Sequence, residues 1–170
     1  MVLRLLDGVR VVEWAEGISA PFCARILADL GAEVVKLEQP LTGDPMRAAG
    51  PFLPGDHAPN DSALFAYLNA GKRSATLDVS AAWPGRDLDN AGLLVESYGT
   101  IDRVALQREH PGLIVLSVTP FGRTGPLRGT PSSDLTLQHR AGWAHAMARP
   151  VDEPEALAPR GGADHEGPLA

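Results

Sequence analysis

What the sequence has little of narrows its role first. Cys23 is the only cysteine in 170 residues, which excludes an intrachain disulfide and a thiolate metal cluster. It falls inside an apolar helical pattern and reads as a small buried hydrophobe. No apolar run approaches the roughly 20 residues needed to span a bilayer. Residues 1–7 are too short and too soon interrupted for a secretory signal. A cytoplasmic protein with no membrane partner is therefore expected. Positive charge is in deficit, with a net charge of −6. Such a balance repels phosphate backbones and argues against a nucleic-acid partner, while a local cationic cluster still suits an anionic small ligand. The histidines His57, His110, His139, His145 and His165 lack ligand spacing, and no H-E-x-x-H is present, so no metal site is expected. Also missing are a G-x-S-x-G elbow, a G-x-G-x-x-G fingerprint, a P-loop and any internal repeat.

What is present is an alternation of strand and helix signals. Val9-Arg10-Val11-Val12-Glu13-Trp14 is β-branched and reads as a strand. Residues 15–20 read as a loop, and Pro21 suits the first turn of a helix, where its missing N–H costs nothing. Phe22, Ile26 and Leu30 recur every four residues, with Cys23 and Leu27 widening the stripe. Gly31 stops that helix as its C′ residue, and Val34-Val35-Lys36-Leu37 is a second strand. This is a βαβ unit with a parallel crossover. Residues 40–61, rich in Pro, Gly and Asp, are expected to be a long surface loop. A short helix over 62–68, a strand over 74–79, a strand over 93–96, a helix over 101–110, a strand over 113–118 and a last helix over 135–147 follow. Residues 81–89 are ambiguous. The fold class is α/β, Rossmann-like, with a mostly parallel sheet flanked by helices. Residues 1–147 form the domain, and 148–170 form a loosely held tail without apolar periodicity.

Ligands of open α/β sheets sit beyond the carboxyl ends of the strands, and three segments qualify. Gly17-Ile18-Ser19 precede the first helix, where small residues and free N–H groups favour an anion; a plain turn is the competing reading. In Asn69-Ala70-Gly71-Lys72-Arg73-Ser74, Lys72 and Arg73 suit phosphate oxygens, against a solvated turn. Phe121-Gly122-Arg123-Thr124-Gly125-Pro126 is a stiff turn that either approaches a ligand or merely reverses the chain. Near the end, Asp164 and Glu166 flank His165. A carboxylate there suits a nucleophile that forms an acyl intermediate, or else belongs to a polar tail.

Taken in order, these residues resemble the class III CoA-transferases, the family of formyl-CoA transferase and carnitine CoA-transferase. Leu6 through Val12 is similar to the family start. Ala20-Pro21-Phe22 with the block Leu27-Ala28-Asp29-Leu30-Gly31-Ala32-Glu33-Val34-Val35-Lys36-Leu37-Glu38 is similar to its most recognisable stretch. Gly43-Asp44-Pro45-Met46-Arg47 looks like its G-D-x-x-R segment, and Asn69 through Asp78 like N-x-x-K-R-S-x-x-L-D. Val95-Glu96-Ser97-Tyr98 stands where the family has V-E-N-F, and residues 121–126 resemble F-G-x-T-G-P.

The resemblance implies a Rossmann-like large domain, a smaller domain and two interlocked chains. It implies acyl-CoA and a small carboxylate as substrates, with no permanently bound cofactor. A catalytic carboxylate would attack the thioester and pass through a mixed anhydride to an enzyme-bound CoA thioester. Carried over by position, Gly17, Ile18 and Ser19 line the CoA site, and Lys72 and Arg73 lie by the nucleotide. Ser97, Tyr98 and Arg103 face CoA, Arg103 being read from Ile101-Asp102-Arg103. Either Asp164 or Glu166 takes the nucleophile position. Glu166 keeps the register from Gly161, and Asp164 keeps the acid type.

Departures from the pattern include Gln39 where several members have Arg, Ser97 in place of Asn, and shorter segments after Val79 and after Tyr98. Complete members run to more than twice this length. The leading expectation is thus an N-terminal piece of a class III CoA-transferase, truncated or degenerate, that binds CoA and is inactive alone. Its partner would be a second copy or the missing C-terminal portion. The alternatives are an α-methylacyl-CoA racemase-like enzyme and a catalytically silent binding or dimerisation module.

Overall fold

A computed structural model describes residues 4–53, 61–77 and 88–143. The chain divides into two compact units, Met1–Thr119 and Pro120–Ala170.

The first unit is built on the expected βαβ start. Strand β1 is Arg10–Trp14, helix α1 is Ser19–Asp29 and strand β2 is Glu33–Glu38. Pro21 sits in the first turn of α1, and Gly31 follows its C-cap with φ +102°. A 3-10 turn, Pro45–Ala48, comes next. Helix α2, Ala63–Asn69, is capped by the Ser62 hydroxyl, which accepts from the Phe65 N–H. Strand β3 is Arg73–Thr76, strand β4 is Leu93–Glu96, helix α3 is Arg103–Glu109 and strand β5 is Ile114–Ser117. The Asp102 carboxylate caps α3 by accepting from the N–H groups of Val104 and Ala105.

All four strand pairings are parallel, in the order β3-β2-β1-β4-β5. The α/β, mostly parallel architecture read from the sequence is the one observed. Val12 lies opposite Val35 on one side and Leu94 on the other, which sorts side chains onto two faces. One face carries Val12, Trp14, Leu37 and Leu94 and packs against Ile101, Leu106 and Leu113. The other carries Val11, Ala15, Val34 and Val95 and packs against Ala20 and Ala24 of α1.

Two expectations need correction. The apolar stripe of Phe22, Ile26 and Leu30 that signals α1 does not mark its buried face. Instead Ala20, Pro21 and Ala24 are buried, while Phe22 and Ile26 are exposed. Small residues let the helix lie close to the sheet, and Phe22 stacks on Tyr67 of α2 at 6.3 Å. Residues 40–61 were read as a surface loop, yet Asp44 and Met46 are buried. Asp44 is drawn inward by an ion pair with Lys36.

In the second unit, helix α4 is Asp134–Arg140, opened by a capping box of Ser133 and Thr136. The chain turns at Ala141 and Gly142, so the single helix expected over 135–147 is interrupted there. The Arg140 guanidinium lies over the Phe121 ring. Residues 144–170 lie outside the described residues, and with them the proposed tail, Asp164 and Glu166.

Candidate functional site

From β1 the sheet grows one way through β2 and β3 and the other way through β4 and β5. The carboxyl ends of β1 and β4 therefore form its topological switch point, where ligands of such sheets bind. The loops after these two strands bring together five of the expected residues. Gly17 has φ +82°, and a Cβ placed on it would meet nothing within 4 Å. A glycine holds this left-handed conformation without strain and leaves the backbone open to approach. Ile18 is the N-cap of α1 and offers no side-chain hydrogen bond to the helix. The first turn, beginning at the exposed Ser19, thus carries positive partial charge without a capping oxygen. From the β4 side, the Ser97 hydroxyl accepts from the Glu16 N–H at 3.0 Å. The Tyr98 ring packs on Trp14 at 5.1 Å. Burial, together with its hydrogen bond to the Glu16 carboxylate, pushes the Tyr98 phenol well above its ordinary range. It therefore stays a protonated donor across the working pH range.

Beneath the β1 loop lies a cluster of buried charges. The Lys36 ammonium donates to Glu13 Oε1 at 2.8 Å and to the Ala15 carbonyl at 2.8 Å, and pairs with Asp44 Oδ2 at 2.7 Å. The Lys72 ammonium meets Glu13 Oε2 at 2.6 Å, the Pro21 carbonyl at 2.8 Å and Asn69 Oδ1 at 2.8 Å. Each ammonium has three donors and three acceptors. The two ammoniums and the two carboxylates balance in charge, which is what permits their burial. Burial works against the charged form of Lys36, but Glu13 and Asp44 more than offset it and its pKa is raised. For Lys72 burial prevails over the attraction of Glu13, and its pKa is lowered. Cys23, half-buried nearby, is pushed up by burial and by Glu13, which disfavours its thiolate.

Next to this cluster, Arg47 grips Glu38 with two bonds, Nε to Oε2 at 2.7 Å and Nη2 to Oε1 at 2.9 Å. Ser74 Oγ and the Asp44 N–H also donate to Glu38. Burial opposes ionisation of Glu38, but these donors outweigh it and bring its pKa to about 2. Gly43 explains itself here: a Cβ at this position would lie 2.8 Å from Arg47 and 3.0 Å from Glu38 Oε2. In the segment Gly43-Asp44-Pro45-Met46-Arg47, the glycine leaves room, Asp44 caps the 3-10 turn through Met46 N–H, and both charged residues anchor on β2.

The remaining expected residues are more scattered. Arg73, at the head of β3, is exposed and pairs with Glu33. Arg103, the first residue of α3, is exposed and donates to the Val115 carbonyl. Lys72 directs its ammonium into the buried cluster. Sequence reasoning missed Glu13, Lys36 and Asp44. The signal was available: a Glu and a Lys interrupt two strands of a parallel sheet, whose strands ordinarily read as hydrophobic runs. A groove of about 550 Å³ lies between Val9, Arg10, Ala91, Gly92 and Leu113. It sits at the amino ends of the strands, away from the switch point, and brings no expected residue together.

The sequence pattern of CoA-transferase family III matches residues 6–169. The chain belongs to that family. This family member is 38% identical to the succinyl-CoA:(R)-benzylsuccinate CoA-transferase subunit BbsE of Thauera aromatica, over 85% of the present chain and 38% of the relative. It is 34% identical to the succinate–glutarate CoA-transferase of Agrobacterium fabrum, over 88% of this chain and 40% of that one. Among solved structures, a CAIB/BAIF family protein from Brucella suis superimposes with a TM-score of 0.74 at 34% identity, covering 88% of this chain and 42% of that one. The Rv3272 protein of Mycobacterium tuberculosis gives 0.76 at 29% identity, covering 94% and 45%. The family member thus spans about two-fifths of the relatives it matches.

Proposed function

We propose that this chain binds the CoA part of an acyl-CoA at the crevice between the β1 and β4 loops. In the working enzyme that site serves transfer of CoA from an acyl-CoA to a small carboxylate. The carrying observation is the meeting of Gly17, Ile18, Ser19, Ser97 and Tyr98 at the switch point, over a helix start without a capping side chain. Exposed Arg103, the first residue of α3, supplies a cation for the phosphates of CoA, and Arg73, paired with Glu33 at the amino end of the sheet, is assigned to the nucleotide end on the family resemblance alone. The named activities of the relatives, which involve succinyl-CoA and carboxylates such as succinate and glutarate, support the substrate class.

The nucleophile is assigned to Asp164 or Glu166. Its carboxylate oxygen bonds to the acyl carbon as the C–S bond breaks, giving a mixed anhydride and CoA thiolate. The thiolate then attacks the enzyme carbonyl, forming an enzyme–CoA thioester and releasing the first carboxylate. The acceptor carboxylate reverses the sequence. CoA is a substrate here and no resident cofactor is invoked. The chain spans about two-fifths of the length of these relatives, and the reading for the 170 residues tested alone is CoA binding without turnover. A mass-spectrometric search for a CoA adduct after incubation with acyl-CoA tests this. No adduct is expected, and one at Asp164 or Glu166 would show that the chain carries out the first half of the reaction unaided.

A further inference from the structure

We infer that Lys36 and Lys72 are a paired brace that holds the Gly17–Ile18–Ser19 loop in its ligand-ready shape, so that Lys72 acts through Pro21 and not by touching phosphate. The inference rests on the reading of that loop as part of the CoA site. Its geometry is specific. The loop leaves β1 at Ala15 and enters α1 by Pro21, and each of these carbonyls accepts from one of the two ammonium groups at 2.8 Å. Glu13 spans the pair, with Oε1 on Lys36 and Oε2 on Lys72. It is rooted in β1, one residue before Trp14, and is fully buried. The third acceptors, Asp44 and Asn69, tie the same ammonium groups to the 3-10 turn and to α2. Both ends of the loop are therefore pinned to one charge-balanced centre, while at Gly17 between them a Cβ would meet nothing within 4 Å.

A flexible loop would lose conformational freedom on binding, and fixing it beforehand removes that cost. An ammonium suits this task because three donors on one atom reach three separate elements. With all three acceptors being protein atoms and its side chain only 1% exposed, Lys72 has no donor left for a phosphate. The Lys72 side chain would thus influence affinity without contributing to the salt dependence of binding, unlike the exposed Arg73.

The test combines calorimetric titration with CoA and hydrogen exchange resolved to the loop amides. Lys72→Met is expected to weaken CoA about tenfold, the gain from preorganisation being lost. It is also expected to speed exchange at residues 16–20 about tenfold relative to β2 amides, as a local opening would. Because Lys72→Met leaves Glu13 half-paired, the double variant Glu13→Gln with Lys72→Met removes the brace without a stranded carboxylate, and the same two changes are expected. Leu68→Ala, at a buried position on α2, is the matched control. It destabilises the fold but keeps the loop-to-strand exchange ratio and CoA affinity at wild-type values. Wild-type affinity and unchanged loop exchange in the folded double variant would overturn the brace. So would Leu68→Ala weakening CoA as much as Lys72→Met does. Failure of the wild-type chain to bind CoA would instead overturn the proposed function and the ligand half of this inference, leaving loop exchange to decide the brace alone.

Discussion

On the α3 side of the sheet Val12, Trp14, Leu37 and Leu94 meet Ile101, Leu106 and Leu113. On the α1 side the alanines of the helix share the space with Glu13, Lys36, Asp44 and Lys72. Both faces are equally closed to water, but they are closed by different means. Hydrocarbon on the first face is non-directional and fixes volume more than position. Ionic contacts on the second face are directional, and they fix where particular backbone atoms sit. The fully buried Glu96 at the end of β4 is the exception on the first face, the side of Leu94, where its Oε2 accepts from the Gly99 N–H at 2.7 Å and ties down the turn after β4. Buried charge is concentrated at the carboxyl end of the sheet, where loops must hold a shape for a ligand.

The contrast can be broken most severely at its hub. Glu13→Ala strips one partner from both ammoniums, and breaking a buried pair in this way costs about 3–5 kcal/mol. Urea unfolding would measure it, and a loss below about 1 kcal/mol, as for an exposed pair, would mean the cluster is solvated. A milder break comes from acid. The Glu38 carboxyl is held at about 2 against an ordinary 4.5. A depressed carboxylate stabilises fully above its unfolded pKa, and that stability is lost as pH falls from about 4.5 to about 2. Stability followed through this window should fall more steeply in the wild type than in Glu38→Gln, which lacks the titrating group. Parallel curves would contradict the assignment of the acid sensitivity to Glu38.

On the apolar face, Ile101→Val removes one methylene from a buried site and should cost about 0.5–1.5 kcal/mol, with CoA affinity unchanged. Smallest of all, Arg73→Ala breaks an exposed pair with Glu33 and should change stability by less than about 1 kcal/mol. It should nevertheless weaken CoA and flatten the salt dependence of binding. Unaltered salt dependence would remove Arg73 from the nucleotide end.

Much of the fold was legible because the signals were local. The β-branched run 9–14 and the glycine at 31 each act within a few residues, and each marks an element boundary in the structure. The core face of α1 was not legible from periodicity. Phe22 and Ile26 repeat as a core stripe would, yet close approach to a parallel sheet favours alanine, and tertiary packing overrode the pattern. Of the site, the loops after β1 and β4 were found from small residues and from ordered motif matches. The partners Glu13, Lys36 and Asp44 beneath them were not, nor was the buried role of Lys72, because these four residues come from separate segments joined only by the sheet and its crossovers. The opposite charges within β1 and β2 were the clue. They lie in register, Glu13 beside Lys36.

The switch-point crevice of this chain is the proposed CoA site. Calorimetric titration of the intact chain with CoA tests it most directly, alongside Ser97→Ala, which removes the hydroxyl joining the two loops. Saturable binding at a single site, with Kd of roughly 1 mM or tighter, is predicted for the wild type and weaker binding for the variant. No heat of binding from a chain shown to be folded, or equal binding by the two proteins, would contradict the account.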